Sequence, residues 1–446
     1  MLTKDYKETL RLGIPIAVGQ LGVIIMGFAD TMMVGRFSTE SLAAASFVNA
    51  LYNLITYLLL GYSYGLTPIV SSLVGQGCTH EAGAELKHGV AANAGFALLL
   101  MVGMTVVYFL LPHMGQPSEV LPLARPYYVC LLISMLFVAL FNASRQFTDA
   151  LTDTTVGMTA ILSGNALNIL GNWLLIYGIG PFPELGLLGA GISTCLSRVY
   201  MAVFVLSVVA SRGRYARYRE GFRQASCHWH PLLKVNAKSL PVSLQMGMES
   251  GAFTFSGIMA GWISAIDLAT YQVMITIGGL GFLLYYSFGS SMSIRLAAAY
   301  GQRDWDAVHR VSKSGCHLLL AMCLCSSLVF LLFGHAILRG FTSDAEVLAL
   351  GAMLVPYLVL YQLGDAMQVC YSNALRGTGH VRPVMGVAFV SYVVVNLPVA
   401  YLLGFVLHMG SRGIFLAFTV GLLTAAFLFW WNYRKSLQAD QAASKR

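Results

Sequence analysis

Residues 14–34 read IPIAVGQLGVIIMGFADTMMV, an apolar run without a basic residue that contains one carboxylate, Asp30. Two further runs of this kind are Leu240–Ile266 around Glu249 and Leu350–Cys370 around Asp365. A charge near the centre of a bilayer costs about 2.5–3.5 kcal/mol on insertion scales, so such residues usually mark an ion or substrate pathway. The alternative is a carboxyl group that staples two helices or is held protonated for packing. Three acids without a basic residue in their own runs favour an ion pathway.

The composition indicates a polytopic membrane protein. Of 446 residues, 57% are hydrophobic and only 10% are charged, whereas a soluble domain carries about 25% charged residues. Strand-type alternation is absent, so we expect an all-α protein and not a barrel. Windows of about 20 apolar residues are long enough to span a bilayer as helices. Twelve such spans are predicted, centred near Ile24, Leu59, Met101, Met135, Leu167, Val203, Thr254, Leu280, Cys323, Leu360, Val394 and Leu422.

The basic residues predict the orientation of these spans, because Lys and Arg accumulate in short cytoplasmic loops. With twelve spans, 22 of the 27 basic residues fall on one face and 4 on the other, and Arg198 lies within a span. Both termini are therefore expected in the cytoplasm, with the first span retained as an insertion signal. Topology explains the net charge of +8, so no nucleic-acid partner is needed. A multi-pass protein of a cytoplasmic (inner) membrane is therefore expected.

The eight cysteines do not form a pattern typical of disulfides or zinc sites. They lie mostly within spans or cytoplasmic loops, and no His or carboxylate accompanies them at zinc spacing. We expect neither structural disulfides nor a cofactor.

A repeat relates the two halves of the chain. One constant shift, without a gap, aligns Pro15 with Pro241, Gly35 with Gly261 and Gly89 with Gly315. It also aligns Leu42-Ala43 with Leu268-Ala269 and Gly75-Gln76 with Gly301-Gln302. These residues fall at predicted helix starts and loop edges, which a structural repeat would keep.

The repeat predicts two six-helix lobes, residues 1–211 and 236–446, joined by a basic cytoplasmic linker, residues 212–235. Six spans per half is an even number, so we expect the lobes to be related by a pseudo-two-fold axis along the membrane normal. Alternating access by rocking one lobe against the other follows from this design. Under the same shift Asp30 aligns with Ser256 and Glu249 with Val23, so each lobe has an acidic site of its own.

Polar stripes accompany the acids. The tenth span carries Tyr361, Asp365, Gln368 and Ser372 on one helical face, and the seventh carries Gln245, Glu249 and Ser256. Such stripes must point away from lipid, toward the bundle interior or a wet cavity. Carboxylate, amide and hydroxyl oxygens suit a hard cation, and burial favours the protonated form of a carboxyl group. Both Na⁺ and H⁺ therefore fit as the coupling ion, with Glu249 and Asp365 the candidate Na⁺ ligands.

Two further spans carry asparagines at helical spacing. These residues are Asn165, Asn168 and Asn172 in the fifth span, and Asn49, Asn53 and Tyr57 in the second. Asparagine also joins transmembrane helices, at under ~1 kcal/mol per contact on average, and for Asn49 and Asn53 joining and cavity lining are equally favoured. Met246 and Tyr285 belong to a group of methionines and aromatic residues near Glu249. Such a surface favours flat cationic or amphipathic ligands through π contacts and adaptable packing.

Other functions lack the residues they need. No Walker-type Gly-x-x-x-x-Gly-Lys-Ser/Thr motif occurs, so no ATPase chemistry is predicted in this chain, and an ATPase subunit is not implied. A membrane-embedded enzyme would need paired catalytic groups at one depth, and no such set is evident.

Several motifs resemble those of the multidrug and toxic compound extrusion (MATE) family. Phe28-Ala-Asp30-Thr-Met-Met-Val-Gly35 followed by Ser41-Leu-Ala-Ala-Ala-Ser46 looks like its first-helix signature. Asn168-Ile-Leu-Gly-Asn172-Trp173 and Pro183-Glu-Leu-Gly-Leu-Leu-Gly-Ala-Gly191 match its fifth-to-sixth-helix pattern. Leu240-Pro241 with Glu249, Tyr361-Gln-Leu-Gly-Asp365, and Leu375-Arg-Gly377-Thr-Gly379 resemble its seventh and tenth helices. Glu249 together with Asp365 points to the NorM-like branch.

The resemblance implies a cation-coupled antiporter that expels drugs and other toxic amphiphiles and functions as a monomer. It implies a C-lobe cation site at Glu249, Asp365 and Tyr361, and an N-lobe site at Asp30, Asn168, Asn172 and Thr194. Some branches have an aspartate where this chain has Asn172. The alternative within the superfamily is a flippase for lipid-linked oligosaccharides or another metabolite exporter. A flippase cavity should carry several basic residues for pyrophosphate, and only Arg198 lies within a span.

Overall fold

The computed structural model describes residues 2–115, 117, 119–226 and 228–444, and within these ranges all regular structure is helical. In chain order the α-helices are α1 (Leu2–Phe37), α2 (Thr39–Tyr64), α3 (Leu66–Gly75), α4 (Thr79–Leu110), α5 (Val120–Ala150), α6 (Thr154–Ile176), α7 (Leu187–Ser211), α8 (Ala216–Gln224), α9 (Trp229–Ile263), α10 (Ala265–Gly301), α11 (Trp305–Phe341), α12 (Ala345–Gly377), α13 (Arg382–Ala388), α14 (Leu397–Tyr401) and α15 (Ser411–Ser444). Two π-helical segments, Phe389–Asn396 and Leu402–Val406, extend α13 and α14 into one continuous stretch.

The long helices correspond to the predicted spans. Among the described residues, eleven helical stretches are long and apolar enough to cross a membrane. The twelfth predicted span is the 35-residue helix α9, which is long enough but carries the polar stripe of Gln245, Glu249 and Ser256. The predicted all-α class is confirmed.

Helix starts repeat at the offset found in the sequence. Ser38 and Ser264, which correspond under the shift that aligns the two halves, are both extended N-cap residues, and each accepts a hydrogen bond from the backbone NH three residues on. The bonds are 3.0 Å from Ser41 N and 2.9 Å from Asp267 N. A serine cap satisfies an NH that the first helical turn leaves unpaired. The same offset separates the ends of α1 and α9, the ends of α3 and α10, and the starts of α4 and α11.

Contacts divide the chain into two compact units. Unit 1 consists of Met1–Ala17 and Leu244–Arg446, and unit 2 is Val18–Ser243. The two changes of unit, after Ala17 in α1 and after Ser243 in α9, also correspond under the shift that relates the two halves. This division differs from the predicted lobes at residues 1–17 and 236–243, because the first turns of α1 and α9 pack on the other half of the chain. The predicted lobe and linker boundaries stay a prediction.

In unit 1, polar contacts hold the start of α1 against α10. Arg295 of α10 donates to the backbone oxygen of Asp5 at 2.6 Å and to Oδ1 of Asp5 at 2.7 Å. It also donates to Thr9 Oγ1 at 2.7 Å and to Glu8 Oε2 at 2.8 Å. One guanidinium group therefore binds three residues of the first helical turns.

In unit 2, the start of α9 packs on α2 in the corresponding way. The Ser243 hydroxyl donates to the backbone oxygen of Leu58 at 2.7 Å, and the Tyr62 hydroxyl donates to Asn236 Oδ1. The Nζ atom of Lys234 lies 3.9 Å from Oε1 of Glu85 in α4.

The predicted basic linker contains the short helix α8, which docks closely on α4. A Cβ atom on Gly83 of α4 would lie 1.9 Å from the backbone oxygen of Tyr218, and one on Gly221 would lie 1.9 Å from that of His80. Only glycine permits such an approach of two helix backbones. The seven cysteines in the described ranges are free thiols, and Cys227 lies outside those ranges.

Candidate functional sites

Gln368 joins the two predicted C-lobe carboxylates, Glu249 and Asp365, in unit 1. Its Nε2 atom donates to Glu249 Oε1 at 3.0 Å and to Asp365 Oδ1 at 3.1 Å. The helical spacing of Asp365 and Gln368 on α12 places both side chains opposite α9, which carries Glu249. Glu249, Asp365, Gln368 and Tyr285, which contacts Asp365, are called the unit 1 acidic site below. The structure brings the two predicted C-lobe carboxylates to one nitrogen atom.

The tyrosine that contacts Asp365 is Tyr285. Its hydroxyl donates to Asp365 Oδ2 at 2.5 Å, and its side chain is fully buried. Tyr361, the tyrosine that the family pattern implies, is also buried and lies within electrostatic range of Asp365. Its ring packs against Phe415 and Phe418, with centroid distances of 6.2 and 5.8 Å.

Arg376 lies two helical turns beyond Gln368. Its side chain is only 4% exposed, and it donates to Gln245 Oε1 at 2.7 Å. Gln245 is one helical turn before Glu249, and Arg376 interacts electrostatically with that carboxylate. The sequence assigned Arg376 to the cytoplasmic face and not to a site, because it follows the apolar run. Arg376 follows Gln368 by eight positions on α12, and this helical spacing could have indicated that it lies near the acidic site.

The π-helical segment Phe389–Asn396 adds a second group that the sequence did not single out. Tyr392 lies within electrostatic range of Glu249 and Asp365. Ser391 and Asn396 are fully buried, and their side-chain polar atoms have no hydrogen-bond partner among the described residues. π-Helical turns often occur at functional sites, and buried polar atoms without protein partners usually bind water or an ion.

In unit 2, a chain of hydrogen bonds links the predicted N-lobe residues. Asn172 Nδ2 donates to Asp30 Oδ1 at 2.5 Å and lies 3.4 Å from Asn168 Oδ1. Asn168 Nδ2 in turn donates to Thr194 Oγ1 at 3.3 Å. Asn168 and Asn172 are fully buried, whereas Asp30 is partly exposed. These four residues are called the unit 2 acidic site below.

Arg198 completes the polar residues of unit 2. It follows Thr194 by one helical turn on α7 and donates to Ser134 Oγ of α5 at 2.6 Å. It interacts electrostatically with Asp30 and Tyr127. The sequence identified Arg198 as a basic residue within a span but did not pair it with Asp30.

The residues predicted to line a substrate cavity separate into two groups. Asn49, Asn53 and Tyr57 lie on an exposed face of α2, and Tyr127 donates to Asn49 Oδ1 at 3.3 Å. Gln245 and Met246 are buried in unit 1. Asn165 also serves packing, because its Nδ2 atom donates to the backbone oxygen of Gly22 at 2.7 Å.

The unit 1 acidic site offers carboxylate, amide and hydroxyl oxygens, which are groups that can hold a hard cation or a proton. Two negative charges this close repel strongly where water is scarce, so a bound positive charge stabilises them. The Oε1 atom of Gln368 is buried without a hydrogen-bond partner among the described residues, and an amide oxygen is a ligand that such cations accept. In the described ranges, no cluster of three or more His, Cys, Asp or Glu side chains is suited to a transition metal.

Long apolar helices in two repeated halves, each with an acidic site within its helices, are the architecture of a polytopic membrane transporter. The sequence model of the MatE family matches residues 15–174 and 241–402, two segments whose first residues, Pro15 and Pro241, correspond in the repeat. The chain belongs to the MatE family. The predicted family and the expectation of a transporter, not an enzyme, are thereby confirmed.

Curated relatives match over nearly their whole length. The chain is 28% identical over 435 residues to Multidrug resistance protein NorM of Photobacterium profundum, covering 95% of this chain and 94% of that protein. It is 27% identical over 448 residues to Multidrug resistance protein NorM of Vibrio cholerae serotype O1, covering 97% of each.

Solved structures share the fold. The eukaryotic MATE transporter AtDTX14 superposes with a TM-score of 0.88 at 17% sequence identity, covering 98% of both chains. The outward-facing conformation of a multidrug resistance MATE family transporter of the MOP superfamily gives a TM-score of 0.86 at 22% identity, covering 98% of this chain and 96% of that one.

Proposed function

We propose that this protein is a secondary antiporter that exports cationic and amphipathic drugs and toxic compounds in exchange for Na⁺ or H⁺. Membership of the MatE family and the names of the curated relatives support multidrug export. The proposal places the chain in a bacterial inner membrane, with both termini in the cytoplasm and the monomer as the working unit. The cytoplasmic excess of basic residues supports that orientation.

The hydrogen bonds from Gln368 to Glu249 and Asp365 carry the proposal. They hold two carboxylates around one amide group inside the helical bundle. Two acids inside a membrane protein cost too much free energy to be kept for packing alone. A small cation or a proton offsets this charge in one state of the transport cycle. An organic cation and the coupling ion then compete for the same negative charge, which is the basis of exchange.

Coupling requires that the ion interact differently with two conformations. Glu249 lies on α9 and Asp365 on α12, so a relative movement of these helices changes the distance between the carboxylates. A cation that bridges them stabilises the conformation in which they are close. Asp365→Asn and Glu249→Gln remove that dependence while preserving the shape of each side chain.

The test is transport of a fluorescent cationic dye into inverted vesicles with Na⁺ and pH gradients imposed separately. Wild-type protein is expected to accumulate dye under one or both gradients, which also identifies the coupling ion. Asp365→Asn is expected to insert and fold but to lose gradient-driven uptake. Normal uptake by well-expressed Asp365→Asn protein would sink the assignment.

Glu346→Gln is the matched control. Glu346 is an exposed residue in the first turn of the same helix, α12, outside the acidic site. Its neutralisation removes a carboxylate charge from the same helix, and uptake should stay close to wild type. If Glu346→Gln lost as much uptake as Asp365→Asn, the loss would reflect the removal of any carboxylate or a lower expression level, and not a specific role of the acidic site.

A further inference from the structure

Cys316 of α11 and Cys370 of α12 are two free thiols in unit 1 that the cation-exchange mechanism does not use. Their side chains form a hydrogen bond with each other. The hydroxyl of Tyr371 also donates a hydrogen bond to the Cys316 sulfur. The two helices therefore place a pair of thiols side by side.

The packing of α11 against α12 shows the register of the two helices at other levels. A Cβ atom on Gly351 of α12 would lie 3.0 Å from the Leu338 side chain of α11. At a second level, Cys323 Sγ of α11 donates to the backbone oxygen of Gln362 of α12 at 3.4 Å. Residue numbers fall along α11 while they rise along α12, so the helices are antiparallel.

This register brings the two thiols to one level. From the contact of Cys323 with Gln362, Cys316 lies seven residues back along α11 and Cys370 lies eight residues forward along α12. Seven or eight residues are about two turns of an α-helix. Each thiol therefore lies on the helix face that contacts the other helix, in agreement with the hydrogen bond between them.

A glycine of α10 marks nearly the same level from the side. A Cβ atom on Gly289 would lie 3.0 Å from Val369 and 3.5 Å from Leu319. Val369 precedes Cys370 by one residue, and Leu319 follows Cys316 by three. One position on α10 thus contacts both helices within a single turn of the two thiols.

The two thiols differ in exposure. The Cys370 side chain is only 1% exposed, whereas Cys316 is half-buried. The thiolate is the attacking form of a cysteine, and a thiolate at Cys316 would accept the hydrogen bond from Tyr371. A reagent therefore reaches Cys316 first, and the neighbouring sulfur available to Cys370 is that of Cys316.

We propose that Cys316 and Cys370 form a dithiol site that a hydroperoxide, ROOH, converts into a disulfide between α11 and α12. In the first step the Cys316 thiolate attacks the hydroperoxide, so that an S–O bond forms, the O–O bond breaks, and the products are a sulfenic acid and ROH. In the second step the Cys370 sulfur attacks the Cys316 sulfur, so that an S–S bond forms, the S–O bond breaks, and water leaves with the Cys370 proton. The thiols lose two electrons and two protons in total, and ROOH is reduced to ROH and water.

The disulfide would lie beside the unit 1 acidic site. Gln368 precedes Cys370 by two residues on α12, and Asp365 precedes it by five. A covalent link to α11 would restrain the movement of α12 that exchange requires, so we expect oxidation to arrest transport. This effect rests on the proposed function. Cytoplasmic reductants keep such thiols reduced, so the link would form under oxidative stress and be reversed afterwards.

The experiment treats purified full-length protein in detergent with tert-butyl hydroperoxide and then blocks the remaining thiols with N-ethylmaleimide. Tandem mass spectrometry of the digested protein identifies linked peptides. We expect the loss of two of the eight thiols, a link assigned to Cys316 and Cys370, and recovery of both thiols with dithiothreitol. In proteoliposomes, oxidised wild-type protein should lose gradient-driven dye uptake, and dithiothreitol should restore it.

Cys323→Ser is the matched control, since Cys323 is a buried thiol on the same helix that donates to a backbone oxygen. This variant should keep both the link and the inactivation by hydroperoxide. Cys316→Ser and Cys370→Ser should each lose the link and take up dye equally well before and after the treatment. The mapping in wild-type protein needs no variant, so it tests the proposal even if one of these variants does not fold.

Two results of the mapping would overturn the inference. One is a link between Cys130 and Cys195, the thiols of unit 2 that interact electrostatically. The other is oxidation of Cys316 to a sulfinic acid while Cys370 stays a thiol. Undiminished dye uptake by fully linked protein would overturn the restraint on α12. The proposed function fails separately: reduced protein would then show no gradient-driven uptake, although the link would still form in detergent.

Discussion

The hydroxyl of Tyr285 donates a 2.5 Å hydrogen bond to Oδ2 of Asp365, and both side chains are buried in unit 1. The bond joins α10 to α12 at one of the two acids proposed to bind the coupling ion. Gln368 donates to the other oxygen of the same carboxylate. Both oxygens of Asp365 are therefore oriented by neutral donors, which leaves the group fixed in place and open to a cation on its remaining lone pairs.

Tyr285→Phe should weaken gradient-driven export without unfolding the protein. The substitution removes one hydrogen bond to a carboxylate, an interaction worth about 1.5–3 kcal/mol. The expected effect is a rise of about tenfold in the concentration of coupling ion needed for half-maximal transport. Titration of dye efflux against Na⁺ concentration or pH measures it.

Tyr361→Phe is the control for that variant. Tyr361 lies in range of the same carboxylate, but its ring packs among Phe415 and Phe418, and phenylalanine preserves this packing. A change of less than about twofold is expected. If Tyr361→Phe has the larger effect, the tyrosine implied by the family pattern is the ligand and Tyr285 is structural.

Asp30→Asn distinguishes two roles of Asp30: a carboxyl group whose protonation drives substrate release, and a carboxyl group that only joins helices. We favour a protonation switch, because an isolated acid in a span is costly to keep for packing alone. The variant should then stay folded, bind dye, and fail to release it when the outside is acidified, since a neutral asparagine cannot supply a proton-dependent difference between two states. Dye release from proteoliposomes after an acid jump measures this.

The opposite result for Asp30→Asn is equally specific. If Asp30 only joined helices, the variant would have a lower thermal stability and normal transport per folded molecule, because the hydrogen bond from Asn172 would persist to a neutral, weaker acceptor. Acid-driven release at the wild-type level would rule out the switch.

Much of the fold could be predicted from the sequence, because its determinants are local. The repeat that relates Ser38 to Ser264 can be detected from N-cap residues and glycines, and each of these determines the backbone only within a few residues. The stripes containing Asp365 and Asn172 also follow from helical periodicity alone. Site residues that lie on the same helix, such as Asp365 and Gln368, could therefore be predicted from the sequence.

Contacts between helices could not be predicted in the same way. The pairing of Asp365 with Tyr285 joins residues 80 positions apart, and no local pattern distinguishes Tyr285 from Tyr361. The packing of the first turns of α1 on α10 was missed because charges near a terminus were interpreted as topology signals. Arg198 was visible in its span, yet its relation to Asp30 depends on how α7 packs beside α1.

Gly83→Ala should destabilise unit 2 by separating α8 from α4. The new methyl group would meet the backbone oxygen of Tyr218 at 1.9 Å, and backbone cannot yield as a flexible side chain does. Overpacking of this kind costs about 1–3 kcal/mol. Gly95→Ala on the same helix has no atom within 4 Å of the added group and should leave the melting temperature equal or slightly raised. Thermal unfolding in detergent compares the two, and equal melting temperatures would contradict the close docking of α8.

Arg295→Ala should release the start of α1 from α10. The arginine side chain is 10% exposed and that of Asp5 is 14% exposed, with 2.7 Å between Nη2 and Oδ1. Removal of Arg295 takes away four hydrogen bonds and leaves Asp5 with only the more distant Arg310, and breaking a buried pair of this kind costs about 3 kcal/mol. Both a lower melting temperature and faster proteolysis within residues 1–17 are expected.

Arg310→Ala provides the comparison for Arg295→Ala, since Arg310 also faces Asp5 but at 3.8 Å and with 34% of its side chain exposed. Solvent screening limits such a pair to about 1 kcal/mol or less. The melting temperature should therefore fall much less, and residues 1–17 should keep the protease resistance of the wild type. Equal losses in the two variants would mean that the charge near Asp5, and not the set of hydrogen bonds from one buried guanidinium group, holds the first turns of α1 in unit 1.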